Sequence, residues 1–130
     1  MCILFVEDEP LIHLILAEEL SDAGFEVCQA ENGDEAAKLI QYSPIAFTLL
    51  ITDIHMPGER DGVAVAQLMH RQNPLIPVIY ITGRVDIFKE MTPISANEAI
   101  LAKPFLPSEL VRVARRLLDQ KGAGSAWREE

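Results

Sequence analysis

The sequence has no long apolar run and few cysteines, aromatic residues or basic residues. No stretch of about 20 apolar residues occurs, so no membrane span is expected. The N-terminus has no basic segment followed by an apolar one, which argues against a signal peptide. The 130 residues fit one domain, and 49% of them are hydrophobic, which is enough to fill a core. We therefore expect a single cytoplasmic domain.

Positive charge is scarce and unevenly placed. The net charge is −9, and the first 35 residues contain ten acids and neither Lys nor Arg. The main basic cluster is formed by Arg112, Arg115 and Arg116 near the C-terminus. Binding to nucleic acid requires a basic surface that displaces counterions from phosphates. We therefore expect no direct contact with nucleic acid.

The two cysteines and two of the three histidines do not form a recognisable site. Cys2 and Cys28 have neither CxxC nor Cys/His spacing, so they are interpreted as small core residues in a reducing compartment. His13 and His70 are interpreted as surface side chains rather than metal ligands.

Apolar runs and helical patterns alternate along the chain. Turn residues separate the apolar runs from the helical segments. Because the runs are apolar throughout, they predict strands buried on both faces of a parallel sheet. The simplest arrangement is a doubly wound α/β sheet in the order 2-1-3-4-5. Strands are predicted at 2–6, 25–30, 47–52, 76–81 and 98–102, and helices at 10–23, 33–42, 61–72, 85–91 and 107–120. The fourth helix is expected to be short, because Pro93 follows it.

Polar residues stand at the ends of four of these strands. Glu7 and Asp8 follow the first strand, Asp53 the third, Thr82 the fourth and Lys103 the fifth. The carboxyl ends of parallel strands meet at one edge of the sheet, where ligands bind in open α/β folds. We therefore expect three acids, a hydroxyl and an ammonium to converge.

The three acids predict a metal site. Three carboxylates close together repel one another, and one would take up a proton unless a cation were present. A small set of oxygen ligands that leaves room for water and phosphate favours Mg²⁺. The ligands would be Glu7, Asp8 and Asp53, and His55 could add its backbone carbonyl.

A cation beside Asp53, with Lys103 and Thr82 close by, indicates phosphoryl transfer. Asp53 would be the nucleophile, and the Lys103 ammonium would neutralise charge on the phosphoryl oxygens. The Thr82 hydroxyl and the backbone amide of Gly83 would donate hydrogen bonds to the product.

Four sequence blocks together resemble a known family. The blocks are Leu4 to Glu9, Thr52 to Gly58 with Asp61 and Gly62 after it, Thr82-Gly83, and Lys103-Pro104-Phe105. In order and spacing they are similar to the receiver domain of two-component response regulators over roughly residues 1–120.

The resemblance implies a flavodoxin-like, CheY-like (βα)5 fold. It also implies that Asp53 accepts a phosphoryl group from a histidine kinase or a histidine phosphotransfer protein. The peptide bond between Lys103 and Pro104 is expected to be able to adopt the cis form, which is accessible to proline.

Two departures from the family pattern concern residues around this core. Receivers commonly carry Tyr or Phe where this chain has Ile100, so Tyr80 is a candidate substitute for the aromatic switch. Tyr80 could equally be an aromatic residue of the core. His55 and Arg84 stand at positions that flank the path of the hydrolytic water in receivers. They are expected to tune the lifetime of the phosphoryl group, or else to point into solvent.

Two surfaces are candidates for partner binding. On the first helix, Leu11 and Leu14 would remain exposed for docking of a kinase helix pair, or would instead belong to a broad apolar stripe. The residues expected to point inward are Ile12, Ile15, Leu16 and Leu20. The second surface combines the fourth helix, the fifth strand and the fifth helix, where the three arginines could bind a second receiver or a downstream target.

These features together predict a phosphorylation-controlled signalling module rather than a metabolic enzyme. The receiver would span 1–121, with a disordered tail at 122–130, and would stand alone. Alternatives are a truncated receiver of a DNA-binding regulator or of a hybrid kinase, and an aspartyl-phosphate hydrolase. The hydrolase would have an acid two residues after the nucleophile, where His55 stands. A flavodoxin-type electron carrier would need a phosphate loop after the first strand, where the chain is acidic.

Overall fold

The computed structural model describes residues 2–56, 58–84 and 96–126, with side chains described as far as Asp119. Within these ranges five parallel strands form one sheet in the order β2-β1-β3-β4-β5, which confirms the predicted topology. The strands are β1 (Cys2–Val6), β2 (Val27–Ala30), β3 (Phe47–Asp53), β4 (Val78–Thr82) and β5 (Glu98–Ala102).

The described residues also contain helices at four of the five predicted places. These are α1 (Pro10–Asp22), α2 (Gly33–Tyr42), α3 (Gly62–Gln72) and α4 (Pro107–Ala126). The helix predicted at 85–91 lies outside the described residues. Helix α4 continues past residue 121, and the division of the chain at that point stays a prediction. None of the described helices is both long enough and apolar enough to cross a membrane.

Strands β2 and β4 each begin two residues later than predicted. The amide of Phe25 donates to the carbonyl of Leu20 at 3.1 Å, and Gly24 adopts a φ of 99°, so both residues complete the end of α1. This is the usual closure of a helix through a glycine in the left-handed region. Pro77, before β4, has no amide to donate to the sheet, although its carbonyl accepts from Leu50 at 3.1 Å.

The core lies on both faces of the sheet, as the continuous apolar runs predict. Phe5, Ile51 and Ile79 belong to the cluster that packs against α1 and α4. The neighbouring strand residues Leu4 and Leu50 belong to the other cluster, which packs against α2 and α3. Because successive strand residues point to opposite faces, each strand contributes to both layers and is held rigidly between them.

Helix α1 differs from the prediction at two positions. Leu16 and Leu20 are buried as expected, but the Ile15 side chain is 45% exposed, so its inward assignment is wrong. His13, interpreted from sequence as a surface residue, is only 8% exposed. Both ring nitrogens of His13 have hydrogen-bond partners, and these partners make burial of a polar ring acceptable at this position. Leu11 and Leu14 are exposed, which favours the docking interpretation over the core alternative.

The start of α3 packs directly against the end of β3. The side chain of Asp61 caps the helix by accepting from the amide of Ala64 at 2.9 Å. A side chain at Gly62 would collide with the carbonyl oxygen of Asp53. The glycine therefore allows the helix to approach the strand end, and this contact helps to fix the position of Asp53.

Candidate functional site

The acids after β1 and β3 meet at the carboxyl edge of the sheet. Val6 is in register with Thr52 across the two strands, so the residues that follow lie close together. One carboxylate oxygen from each of Glu7, Asp8 and Asp53 lies within 4.8 Å of the other two. Glu7 and Asp53 are buried, whereas Asp8 is half-buried. The convergence predicted from the strand ends is therefore present.

Lys103 contacts this acid cluster from the end of β5. Its Nζ donates a hydrogen bond to Asp53 Oδ2 at 2.8 Å and lies 4.0 Å from Glu9 Oε1. Burial alone would lower the pKa of Lys103, but the hydrogen bond to Asp53 and the carboxylates of Glu7 and Glu9 outweigh it and raise the pKa. The side chain is therefore an ammonium ion beside Asp53. The peptide bond between Lys103 and Pro104 is cis.

Glu7 is the acid whose environment is least favourable for a negative charge. Its Oε2 accepts from the amide of Glu9 at 3.1 Å, whereas its buried Oε1 has no hydrogen-bond partner among the described residues. Burial raises the pKa of Glu7 to about 7; the charges of Asp53 and Asp8 add to the effect, and the Glu9 amide and Lys103 oppose it. Without further positive charge, the carboxyl group is therefore only partly ionised near neutral pH.

The acid cluster fits a hard divalent cation. A buried carboxylate oxygen without a partner is unfavourable, and a bound cation would satisfy it. All three donors are carboxylates, which suit Mg²⁺ better than a soft metal. Two of the three acids are buried, so a cation there would also offset repulsion that solvent screens poorly. The assignment of Glu7, Asp8 and Asp53 as metal ligands stays a prediction, as does that of the His55 carbonyl.

Thr82 lies at the end of β4, next to Lys103. Its side chain is fully buried, and its Oγ1 accepts a hydrogen bond from the amide of Arg84 at 2.9 Å. A hydroxyl that accepts still has its own proton to donate. The carbonyl of Thr82 accepts from the amide of Lys103 at 2.9 Å, so the two residues are fixed relative to each other. Gly83 is exposed beside them, and the phosphate-binding roles of these residues stay predictions.

His55 and Arg84 both have exposed side chains. His55 follows the end of β3 by two residues, and Arg84 follows the end of β4 by two residues. They therefore stand outside the buried part of the site, on loops that leave the same sheet edge. Exposure is what both sequence interpretations require, since the path of a hydrolytic water also opens to solvent.

Tyr80 and Ile100 are directly paired across β4 and β5. Tyr80 is only 4% exposed, and its hydroxyl donates to Glu98 Oε2 at 3.3 Å. Burial, together with the charge of Glu98 and this hydrogen bond, raises the pKa of the Tyr80 phenol. Alternation along the strand puts Tyr80 on the same face as Thr82. An aromatic side chain on β4 thus lies beside Ile100, the position on β5 at which the family commonly carries its aromatic residue.

Sequence reasoning missed three residues that contact the site. Glu9 lies 4.0 Å from Lys103, and its amide donates to Glu7. His13 and Gln29 form a hydrogen-bonded pair next to Glu7. For His13 a signal was available, because it stands three, four and seven residues before the buried positions of α1. For Gln29, which is exposed in an edge strand, the sequence offered no signal.

The two predicted partner surfaces differ in their contacts. Leu11, Leu14 and Ile15 are exposed on α1, and Ile15 also lines an apolar groove of about 270 Å³ that reaches Lys103. On α4, Arg112 lies 3.9 Å from Glu109. Arg115 donates to the carbonyl of Ala23 and lies over the ring of Phe25. Arg115 therefore already has contacts within the chain, whereas the Arg112 side chain is 70% exposed.

Comparison with known proteins assigns the family. The sequence matches the response regulator receiver domain over residues 3–115. The response regulator receiver protein CpdR of Brucella abortus is 32% identical, with 89% of this chain and 95% of CpdR covered. A putative NtrX-like response regulator of Rickettsia typhi is 33% identical over 88% of this chain. This chain thus belongs to the response regulator receiver domain family.

Solved structures agree with this assignment. A response regulator receiver protein from Sinorhizobium medicae superposes with a TM-score of 0.83 at 29% identity, covering 92% of this chain and 94% of that protein. The receiver domain of the hybrid histidine kinase CckA gives a TM-score of 0.76 at 29% identity, with 91% and 99% covered. Both the sequence and the fold of this chain are therefore those of a two-component receiver domain. This chain spans about a quarter of the length of the NtrX-like relatives, 24% in the Rickettsia typhi protein.

The environment of Glu7 predicts a pH-dependent stability. In the folded state the pKa of Glu7 is about 7, against an ordinary value of 4.5. The contribution of protonated Glu7 to the unfolding free energy is therefore fully present below pH 4.5 and is lost as the pH rises through 7. The loss is on the order of 3 kcal/mol. Glu7→Gln carries no charge, so its unfolding free energy relative to wild type should rise across this range.

Urea unfolding in EDTA at several pH values measures this difference. Addition of Mg²⁺ at pH 8 should then stabilise wild type more than Glu7→Gln, since a bound cation compensates the carboxylate. An unfolding free-energy difference that stays constant with pH would contradict the assigned environment of Glu7.

Proposed function

We propose that Asp53 accepts a phosphoryl group from a histidine kinase or a histidine phosphotransfer protein, with Mg²⁺ as the cofactor. The observation that carries the proposal is the 2.8 Å hydrogen bond from Lys103 Nζ to Asp53 Oδ2, beside two further acids within 4.8 Å. A nucleophilic carboxylate needs both an ammonium ion and a cation near the phosphoryl oxygens that it will carry.

In the proposed reaction an Asp53 oxygen attacks phosphorus, and the bond from phosphorus to the donor imidazole nitrogen breaks. The electron pair of that bond leaves with the imidazole. Lys103, the Thr82 hydroxyl and the Gly83 amide then donate hydrogen bonds to the phosphoryl oxygens. A bound Mg²⁺, held by Glu7, Asp8, Asp53 and the His55 carbonyl, would supply the additional positive charge that offsets those oxygens.

The output of the module is proposed to be a changed affinity for a partner. Phosphorylation would shift an existing equilibrium between two conformations. The donor would dock on α1 at Leu11 and Leu14, beside the acids. A downstream target, or a second receiver, would bind the second predicted surface, whose described parts are β5 and α4. The charge distribution supports protein partners rather than nucleic acid.

An aspartyl-phosphate hydrolase is the weaker proposal. Such an enzyme would carry a general acid two residues after its nucleophile, and this chain has the exposed His55 there. The chemistry supported by the site is self-phosphorylation and self-dephosphorylation. A metabolic substrate is not needed to account for any residue of the cluster.

Incubation with acetyl phosphate and Mg²⁺ should add the mass of one phosphoryl group to the intact protein. The adduct should be absent from Asp53→Asn, which keeps the size of the side chain but removes the nucleophilic carboxylate. Intact mass spectrometry measures both. Omission of Mg²⁺ should suppress the adduct on wild type, and an adduct of equal yield on Asp53→Asn would exclude Asp53 as the acceptor.

Tyr80 is proposed to report phosphorylation in place of the aromatic residue missing at position 100. Tyr80→Leu, which keeps an apolar side chain but removes the ring, should reduce the phosphorylation-induced amide shifts of β5 by more than half. Tyr80→Phe keeps the ring and should preserve those shifts, except near Glu98, which loses its contact with the hydroxyl. NMR spectra with and without phosphorylation test this. Equal shifts in Tyr80→Leu and wild type would show that Tyr80 is a core residue only.

His55 and Arg84 are proposed to set the lifetime of the phosphoryl group by screening Asp53 from water. His55→Ala and Arg84→Ala should each increase the autodephosphorylation rate severalfold, because smaller side chains open the approach to phosphorus. Loss of the adduct over time, followed by mass spectrometry, measures the rate. Glu59→Ala, at an exposed position of the same loop as His55, is the matched control. Unchanged rates in the first two variants would indicate that both side chains only face solvent.

A further inference from the structure

His13 connects helix α1 to the ends of two strands. Its Nδ1 lies 2.8 Å from the backbone carbonyl oxygen of Glu7, and its Nε2 lies 2.7 Å from Gln29 Oε1 on β2. The ring is tilted against Phe5, with 5.1 Å between the ring centroids. At 8% exposure, a side chain of this polarity requires such partners. None of the proposed phosphoryl-transfer steps uses His13.

The partners determine where the ring carries a proton. A carbonyl oxygen only accepts, so Nδ1 must bear the hydrogen that is donated to Glu7. Nε2 faces the side-chain amide of Gln29. It donates to the amide oxygen when the ring is an imidazolium, or accepts from the amide NH₂ group when the ring is neutral and the amide is turned over. In both forms Nδ1 donates to Glu7.

The hydrogen bond from His13 completes the support of Glu7, which stands between β1 and α1. The amide of Glu7 donates to the carbonyl of Ala30 at 3.2 Å, and the carbonyl of Glu7 accepts from His13. Because the amide and the carbonyl of Glu7 are both hydrogen-bonded, the peptide planes on either side of Glu7 are fixed. Those two planes fix the direction in which the Cα–Cβ bond of Glu7 points and the path of the chain into Asp8, and the amide of Glu9 then holds the carboxylate itself through Oε2.

We propose that His13 is a positioning residue for the acid cluster, and that Gln29 orients its ring. His13 would act through the Glu7 carbonyl and would not itself bind the cation, much as outer partners orient the ligands of known metal sites. The effect on Mg²⁺ rests on the proposed function, because it assumes that the acids bind this ion. The effect on the Glu7 backbone does not depend on it.

Three substitutions at position 13 separate positioning from packing. His13→Asn places its amide nitrogen near the position of Nδ1 and should still donate to Glu7. His13→Gln places its amide nitrogen near Nε2, and His13→Leu has no donor. Isothermal titration calorimetry with Mg²⁺ should show wild-type affinity within about twofold for His13→Asn, and a roughly tenfold loss for His13→Leu and His13→Gln. Gln29→Leu should give a smaller loss than His13→Leu, since the ring stays in place.

A second measurement works without metal. The amide of Glu9 donates to Glu7 Oε2, so its hydrogen exchange reports whether the Glu7 carboxylate keeps its place. In EDTA, exchange at Glu9 should be faster in His13→Leu and His13→Gln and unchanged in His13→Asn. Urea unfolding of each variant provides the correction for global stability.

The outcomes distinguish the two proposals. Absence of Mg²⁺ binding to wild type would overturn the metal assignment, while faster Glu9 exchange in His13→Leu would still support positioning. Equal Mg²⁺ affinity and equal Glu9 exchange in every variant would overturn the role of His13. Equal losses in His13→Asn and His13→Leu would also overturn it, by showing that only packing of the ring matters. If His13→Leu does not fold, the comparison of His13→Asn with His13→Gln decides.

Discussion

Repulsion among the carboxylates of Glu7, Asp8 and Asp53 is the constraint that the rest of the site accommodates. The register of β1 and β3 brings these groups within 4.8 Å of one another, at an edge where the strands are buried on both faces. Lys103 offsets one negative charge through its 2.8 Å hydrogen bond to Asp53. The raised pKa of Glu7 offsets another, because the group can hold a proton. Both compensations leave the cluster ready for a cation.

The surrounding fold keeps this unfavourable arrangement in place. The sheet is packed between two apolar layers, so its strand ends move little relative to one another. Gly62 lets α3 approach the carbonyl of Asp53 without a collision. Thr82 and Lys103 are tied by a backbone hydrogen bond of 2.9 Å. A change in the charge on Asp53 therefore acts on neighbours that are already fixed to β4 and β5, which is where the proposed response would begin.

The fold and the centre of the site could be predicted from the sequence, because they depend on local patterns. Continuous apolar runs indicate buried parallel strands, and the strand order brings the acids and Lys103 together. The start of β2 was predicted too early, since Phe25 completes α1 through a hydrogen bond that propensity does not reveal. The helical spacing of His13 to the buried positions of α1 indicated its burial, but its hydrogen-bond partner Gln29 is 16 residues away and no local pattern indicated it. Partners this far apart become visible only in three dimensions.

The same reasoning limits what sequence shows of the partner surfaces. Ile15 was expected to point inward from helical spacing alone, but the inner side of α1 is taken by His13, Leu16, Ala17 and Leu20. Ile15 is left to line the groove that leads to Lys103. The apolar surface beside the acids is therefore larger than the two leucines predicted from the sequence.

Helix α1 exposes Leu11 and Leu14 to solvent on one side and, within the same turn, turns His13 toward Glu7 on the other. The proposed docking surface and the proposed support of the acids would thus share a single turn of helix. Substitutions at Leu11 and Leu14 would redirect the module toward a different partner. Such substitutions would leave the acids in place only if His13, which lies between them, keeps its contacts with Glu7 and Gln29. A change of partner through the proposed surface would thus be confined to the exposed positions of one short stretch.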